Sequence, residues 1–177
     1  MARGKGIVPH FIYPSLWEVE LEKLKELGIK AILLDLDNTI ALGGKSEVPQ
    51  KVRAWIEEAK GKEFKLCIFS NTFKMRRLWR ISLELGIPYV RGKFKPRRGG
   101  LRKALNYLGV KPNESVMIGD RLLTDIWGGN RVGMWTILVK PLEGGAGIMT
   151  RLFYYLERFL LRLAIREHIE SYFRQNI

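Results

Sequence analysis

The sequence lacks most of the features that would take it out of a reducing, aqueous compartment. Cys67 is the only cysteine in 177 residues, so no intramolecular disulfide can form, which fits a cytosolic setting. It lies in the apolar run 66–69, where a free cysteine reads as a small buried core residue. No stretch reaches the ~18 uninterrupted apolar residues of a membrane span, and no apolar segment precedes Pro9. The chain is therefore expected to be neither secreted nor membrane-spanning. The 18 glycines and 7 prolines are scattered, with no tract to act as a linker and no internal repeat. One domain over residues 1–177 is the expectation, and 46% apolar residues suffice for one substantial core. Acidic residues are also scarce, 18 against 31 Lys and Arg, a formal charge of +13. Such a balance implies anionic company, whether phosphate esters, nucleic acid or an acidic membrane surface, without choosing among them.

Short apolar runs alternate with longer segments of helical spacing. Ala31-Ile-Leu-Leu-Asp-Leu, Lys65-Leu-Cys-Ile-Phe-Ser, Ser115-Val-Met-Ile-Gly and Met134-Trp-Thr-Ile-Leu-Val read as buried parallel strands. Residues 15–27, 49–60, 74–85, 100–108 and 122–130 carry helical spacing, with Gly28, Gly61, Gly86 and Gly109 where left-handed C-caps belong. Strand and helix in repeated succession imply a Rossmann-like α/β fold, a doubly wound and mainly parallel sheet with helices on both faces. Sites in such sheets lie beyond the C-terminal strand ends. Three of the strands end in polar residues, Asp35 to Thr39, Ser70 to Thr72 and Gly119 to Asp120, and these should converge at one edge.

Asp35 and Asp37, spaced i, i+2 at a strand end, can both point into one crevice. Hydrolysis of a phosphomonoester needs an in-line nucleophile, a proton for the leaving oxygen and positive charge against the phosphoryl oxygens. Carboxylates alone would repel the substrate, so a magnesium ion is implied, held by hard oxygen ligands to which Asp120 and Asp125 could contribute. Ser70 and Asn71 offer donors, and Lys95 a cation. Taken singly each element is weak, since acidic residues at strand ends are common in α/β proteins and an isolated Asp-x-Asp more often only caps the following helix.

In order, Asp35-Leu-Asp37-Asn38-Thr39, Ser70-Asn71-Thr72, Lys95-Pro96 and Gly119-Asp120-Arg-Leu-Leu-Thr124-Asp125 resemble the four motifs of haloacid dehalogenase-type phosphatases. The resemblance implies that Asp35 attacks phosphorus to form an aspartyl-phosphate. Asp37 would act as general acid and then base, with Thr39 helping to position it. Thr39, Ser70, Asn71 and Lys95 would contact the phosphate, and Lys95 would also balance charge. Magnesium would be held by Asp35, the Asp37 backbone carbonyl and Asp120, with Asp125 direct or through water. The short intervals between motifs imply a capless enzyme with an open site, which favours large substrates without excluding small soluble phosphates. The Pro-Arg-Arg-Gly run after Lys95 and the stretch Pro9 to Pro14 are similar to the YqeG-like branch, which includes phosphatidylglycerophosphate phosphatases. Thr72 departs from the asparagine expected there.

Residues 60–103 carry fourteen Lys and Arg against two Glu. Arg76, Arg77, Arg80, Arg91, Lys93, Arg97 and Arg98 flank the second and third motifs; they read either as a solvated face or as an anion-attracting one. The segment 150–177 has an amphipathic stripe of Leu152, Leu156, Phe159, Leu160 and Leu163, which suits docking on a protein surface or lying in a membrane interface. Phe11, Tyr13 and Trp17 read as core packing in preference to interfacial anchors. These features make an anionic phospholipid the expected substrate and a peripheral position on the inner membrane face the expected site of action. Rival readings are a nucleic-acid end phosphatase, an enzyme of small soluble phosphates, and a silent binding protein on the same fold.

Overall fold

Four of the apolar runs form the centre of a six-stranded parallel sheet in a computed structural model, which describes residues 6–92 and 96–142. The strands are β1 (Phe11–Tyr13), β2 (Ala31–Leu34), β3 (Lys65–Ser70), β4 (Tyr89–Arg91), β5 (Ser115–Gly119) and β6 (Trp135–Val139), in the spatial order β1-β6-β5-β2-β3-β4. The helices are α1 (Leu21–Glu26), α2 (Gln50–Gly61), α3 (Met75–Leu85), α4 (Arg98–Leu108) and α5 (Trp127–Val132).

Strand period places side chains on alternate faces. Ile32, Leu34, Leu66, Ile68, Val116 and Ile118 enter one core with Val52 and Ile56 of α2 and Leu78 and Ile81 of α3. Leu33, Cys67, Phe69 and Met117 enter the other, against Leu101, Leu105 and Leu108 of α4. Both faces are covered, which is why these strands read as continuous apolar runs. Cys67 is a buried core residue as expected, and burial pushes its thiol pKa up to about 12.

The departures from expectation have local causes. The helix expected over 15–27 is split into a single 3-10 turn, Leu16–Glu18, and α1, because Val19 turns extended and its carbonyl accepts the Trp55 Nε1 hydrogen at 2.9 Å. The segment expected as a helix from 122 opens with a π-helical turn, Leu122–Ile126, before α5. Gly86 and Gly109 take the expected left-handed caps, whereas Gly61 stays within α2 and Glu63 takes the positive φ (65°) beyond it. Edge strands β1 and β4, three residues each, add to the expected set. Phe11, Tyr13 and Trp17 pack against the first core, and Phe11 stacks on Trp135 with centroids 6.0 Å apart.

A single helix separates β2 from β3, another β3 from β4, and no substantial cap is inserted among the described residues. The segment 150–177 lies outside them, as does Lys95.

Replacing the Trp55 indole N–H should expose how much the α1 break depends on it. Trp55→Phe keeps the apolar area but strands the buried Val19 carbonyl, an expected loss of about 1–3 kcal/mol in urea unfolding at unchanged m-value.

Candidate active site

Because β2 lies between β5 and β3, the residues that end these strands meet at one edge, as expected. The Asp35 amide donates to the Ile118 carbonyl at 2.9 Å, extending the β2–β5 pairing by one residue and fixing where the Asp35 side chain leaves the sheet. Asp120 follows β5 directly, and Asp125 sits in the π-helical turn beyond it, a distortion frequent at functional sites. Carboxylate oxygens of Asp35, Asp120 and Asp125 lie within 4.8 Å of one another, and all three residues are buried.

That approach depends on Gly119, since a Cβ there would collide with the Asp125 carboxylate. The Arg121 amide donates to Asp125 Oδ2 at 3.3 Å and holds the π-turn carboxylate in place. Like charges so close and so poorly hydrated oppose ionisation. The Asp120 carboxyl is held well above the usual carboxylate range, chiefly by burial and then by the charges of Asp35 and Asp125. Among the described residues, two buried side-chain oxygens lack a hydrogen-bond partner, Asp120 Oδ1 and Thr39 Oγ1. An all-oxygen cluster with an orphaned carboxylate oxygen fits a hard divalent cation such as magnesium.

Asp37 does not join the cluster through its side chain. The chain turns at Asn38, which adopts a positive φ of 63° and whose amide donates to the Ala41 carbonyl at 2.7 Å. Asn38 Oδ1 accepts from the Gly43 amide at 3.0 Å, which tightens the same loop. The Asp37 carboxylate, 38% exposed, accepts from Arg77 Nη1 at 2.7 Å and from the Gly44 amide at 3.3 Å. Thr39 does not bond to it.

Arg77 departs from the expected basic face. The sequence groups it with the arginines of a solvated or anion-attracting surface, yet its side chain is only 6% exposed. Besides Asp37 it donates through Nη2 to the Leu42 carbonyl at 3.1 Å and through Nε to the Lys45 carbonyl. One guanidinium on α3 thus pins the loop after β2 at three places. The signal was available: Arg77, Ile81 and Leu85 are spaced i, i+4, i+8, on the inward stripe of the helix.

Ser70 ends β3, is 1% exposed, and its Oγ accepts from the Thr72 amide at 3.1 Å. Asn71 follows at the rim, half-buried. Asp35, Thr39, Ser70, Asn71, Asp120 and Asp125 therefore all lie at the C-terminal edge of the three central strands, with Asp37 beside them.

The profile of a family described as mitochondrial PGP phosphatase matches residues 1–143. The chain belongs to this family. It is 36% identical over 167 residues to "Probable phosphatase YqeG" of Bacillus subtilis, covering 94% of this chain and 96% of that protein. A second relative is the chloroplastic phosphatidylglycerophosphate phosphatase 1 of Chlamydomonas reinhardtii, 32% identical over 76% of this chain; the match spans only 53% of that longer protein. The solved structure of a haloacid dehalogenase phosphatase from Thermococcus onnurineus superimposes with a TM-score of 0.50 at 25% identity, covering 64% of this chain and 58% of that one. As a member of the PGP phosphatase family on a haloacid dehalogenase-like fold, the chain is a phosphoric monoester hydrolase. The silent binding-protein reading is thereby set aside.

Asp120→Asn tests the electrostatic account. A carboxyl whose folded pKa is raised costs stability once pH exceeds its unfolded pKa, so at neutral pH the metal-free variant should melt higher than wild type. Each ~1 kcal/mol relieved is worth about 2–4 °C at this chain length. Added magnesium should raise the wild-type Tm but leave the variant nearly unmoved, as read by thermal unfolding with and without the ion.

Proposed function

We propose that this chain is a magnesium-dependent phosphatase that works through an aspartyl-phosphate on Asp35 and removes the terminal phosphate of phosphatidylglycerophosphate. The observation that carries the chemistry is the buried cluster of Asp35, Asp120 and Asp125 beside the separately anchored Asp37. The lipid reading draws on the family match and on the activity named for the Chlamydomonas relative, together with the capless edge and the basic balance of the chain.

In the first step an Asp35 carboxylate oxygen attacks phosphorus, the bond from phosphorus to the glycerol oxygen breaks, and Asp37 gives its proton to that leaving oxygen. In the second, water attacks the phosphoryl group on Asp35 while Asp37 takes a proton from it, releasing inorganic phosphate and restoring both carboxyls. Asp35, Asp120, the Asp37 carbonyl and Asp125 would hold magnesium, which when bound offsets the negative charge of cluster and phosphate alike. Thr39, whose buried hydroxyl has no partner, is free to donate to a phosphoryl oxygen. Ser70, Asn71 and Lys95 complete the phosphate contacts.

Arg77 is a positioning residue in this scheme. Its bond to one Asp37 oxygen, with the Gly44 amide, fixes the carboxyl in the loop and leaves the second oxygen to carry the proton. The whole chain, including 150–177, would act as one peripheral unit on the cytoplasmic face of an acidic membrane. No helix among the described residues is long and apolar enough to cross it.

Phosphate release from phosphatidylglycerophosphate in mixed micelles with magnesium is the direct assay, set beside an aryl phosphate and a terminally phosphorylated oligonucleotide. Lipid turnover should far exceed both, vanish on chelation and fall to background in Asp35→Asn. Oligonucleotide turnover above lipid turnover would discard the lipid and keep the chemistry.

Arg77→Gln separates positioning of the proton donor from a general structural role. General acid catalysis is worth about 10²–10⁴-fold and matters most when the leaving oxygen is basic. The variant should lose a large part of that range in kcat toward alkyl phosphates and little toward dinitrophenyl phosphate. Equal losses on both substrates would reduce Arg77 to a loop fastener.

A further inference from the structure

The inner face of α3 is pinned to the core by Leu78, Ile81 and Leu85, yet the outer face is not the polar surface that such a helix normally presents. Trp79 is 57% exposed and Leu83, one turn on, 67%. Arg76 and Arg80 share that face and are exposed too. At its N-terminal end, one residue beyond the Ser70-Asn71-Thr72 stretch, Phe73 is 80% exposed, and the Arg91 guanidinium lies 5.1 Å from its ring centroid. Lys74 is exposed beside it. Three large apolar side chains interleaved with four cationic ones form a single strip that starts at the catalytic edge.

We infer that the outer face of α3, with Phe73 and Arg91, is the surface on which the protein seats itself on an anionic bilayer. The inference deepens the lipid-directed reading and rests on it. Charge complementarity chooses the occupant: the one acidic residue of α3, Glu84, is already engaged by Arg53, so nothing on the strip repels anionic headgroups. Trp, Phe and Leu with arginine between them is the composition of an interfacial helix, in which rings and leucine enter the boundary region while arginines reach headgroup phosphates. Because α3 leaves the sheet at the C-terminal end of β3, seating this face brings the rim at Asn71 and Phe73 to headgroup level. A lipid phosphate could then reach Asp35 without leaving the membrane, and the edge, which has no inserted cap among the described residues, becomes an opening turned toward the bilayer.

The test floats the full chain with vesicles of phosphatidylglycerol mixed with phosphatidylcholine, and with phosphatidylcholine alone. Wild type should bind the mixed vesicles, release at high salt, and ignore the neutral ones. The double variant Trp79→Ser/Leu83→Ser should weaken binding about tenfold or more, as should Arg76→Glu/Arg80→Glu. Tyr107→Ser, a 65%-exposed aromatic on α4 across the sheet, should bind as wild type does. Wild-type flotation of both double variants overturns the inference. So does a fall in Tm of Trp79→Ser/Leu83→Ser without loss of binding, which would mean that the chain itself covers this face, or a wild-type dimer that the same variant dissociates in the absence of lipid. Turnover of phosphatidylglycerophosphate in detergent micelles reports the substrate reading separately. Vesicle binding lost with micellar turnover intact supports the surface and the substrate together; vesicle binding that follows the variants without any lipid turnover supports the surface and sinks the substrate.

Discussion

Three carboxylates forced into one buried space set the terms for the structure around them. In a low-dielectric setting their mutual repulsion would drive Asp35, Asp120 and Asp125 apart unless the backbone left no alternative. The sheet supplies that constraint: β2 and β5 are paired in register through Leu34 and Ile118, and the Asp35 amide adds one more bond at their end. Gly119 removes the atom that would keep Asp125 out, and a π-helical turn carries its carboxylate back over the strand end. Every one of these devices raises the energy of the metal-free cluster and improves its fit to a cation. Rigidity of the sheet is thus what keeps the three carboxylates together at its edge.

Asp37 is governed by different rules, although only Leu36 separates it from Asp35. The left-handed turn at Asn38 takes it out of the sheet's hydrogen-bond ladder and into a loop whose order comes from side chains. Arg77 provides most of that order, with bonds to Asp37, Leu42 and Lys45 from a single buried guanidinium. A buried arginine without anionic and carbonyl partners would be strongly destabilising, so helix and loop must assemble together. The two aspartates are thus held differently: Asp35, the proposed nucleophile, by strands, and Asp37, the proposed proton carrier, by a helix that packs against the first core.

The strands and their polar ends were legible in the sequence because burial on both faces leaves no polar interruption in Ile32 to Leu34, Leu66 to Phe69 or Val116 to Ile118. Parallel strands put all their C-terminal ends on one side of the sheet, which is why Asp35, Ser70 and Asp120 could be expected at one edge, whereas the strand order could not be read. Edge strands β1 and β4 escaped because three residues are too few to show a period, and their partners lie far off in sequence. The helix over 15–27 was overread because its break answers to Trp55, thirty-six residues away. Arg77 is hidden for a different reason: its charge matches the exposed arginines around it, and only its place on the inward stripe of α3 marks it as buried. The i, i+2 spacing suggested that Asp35 and Asp37 share a crevice, but spacing says nothing about a left-handed residue at 38.

The placement of Cys67 bears on how this phosphatase would behave under stress. Enzymes that cleave phosphate esters with a thiolate are silenced when oxidants reach that sulfur. Here the nucleophile proposed is a carboxylate, and the single sulfhydryl is enclosed in the α4-side core with a pKa of about 12, so that almost none of it is ionised near neutrality. Peroxide and alkylating reagents would find no thiolate to attack while the fold is intact. The same seclusion leaves an exterior without a native thiol, on which one introduced cysteine would report from a chosen position without competition.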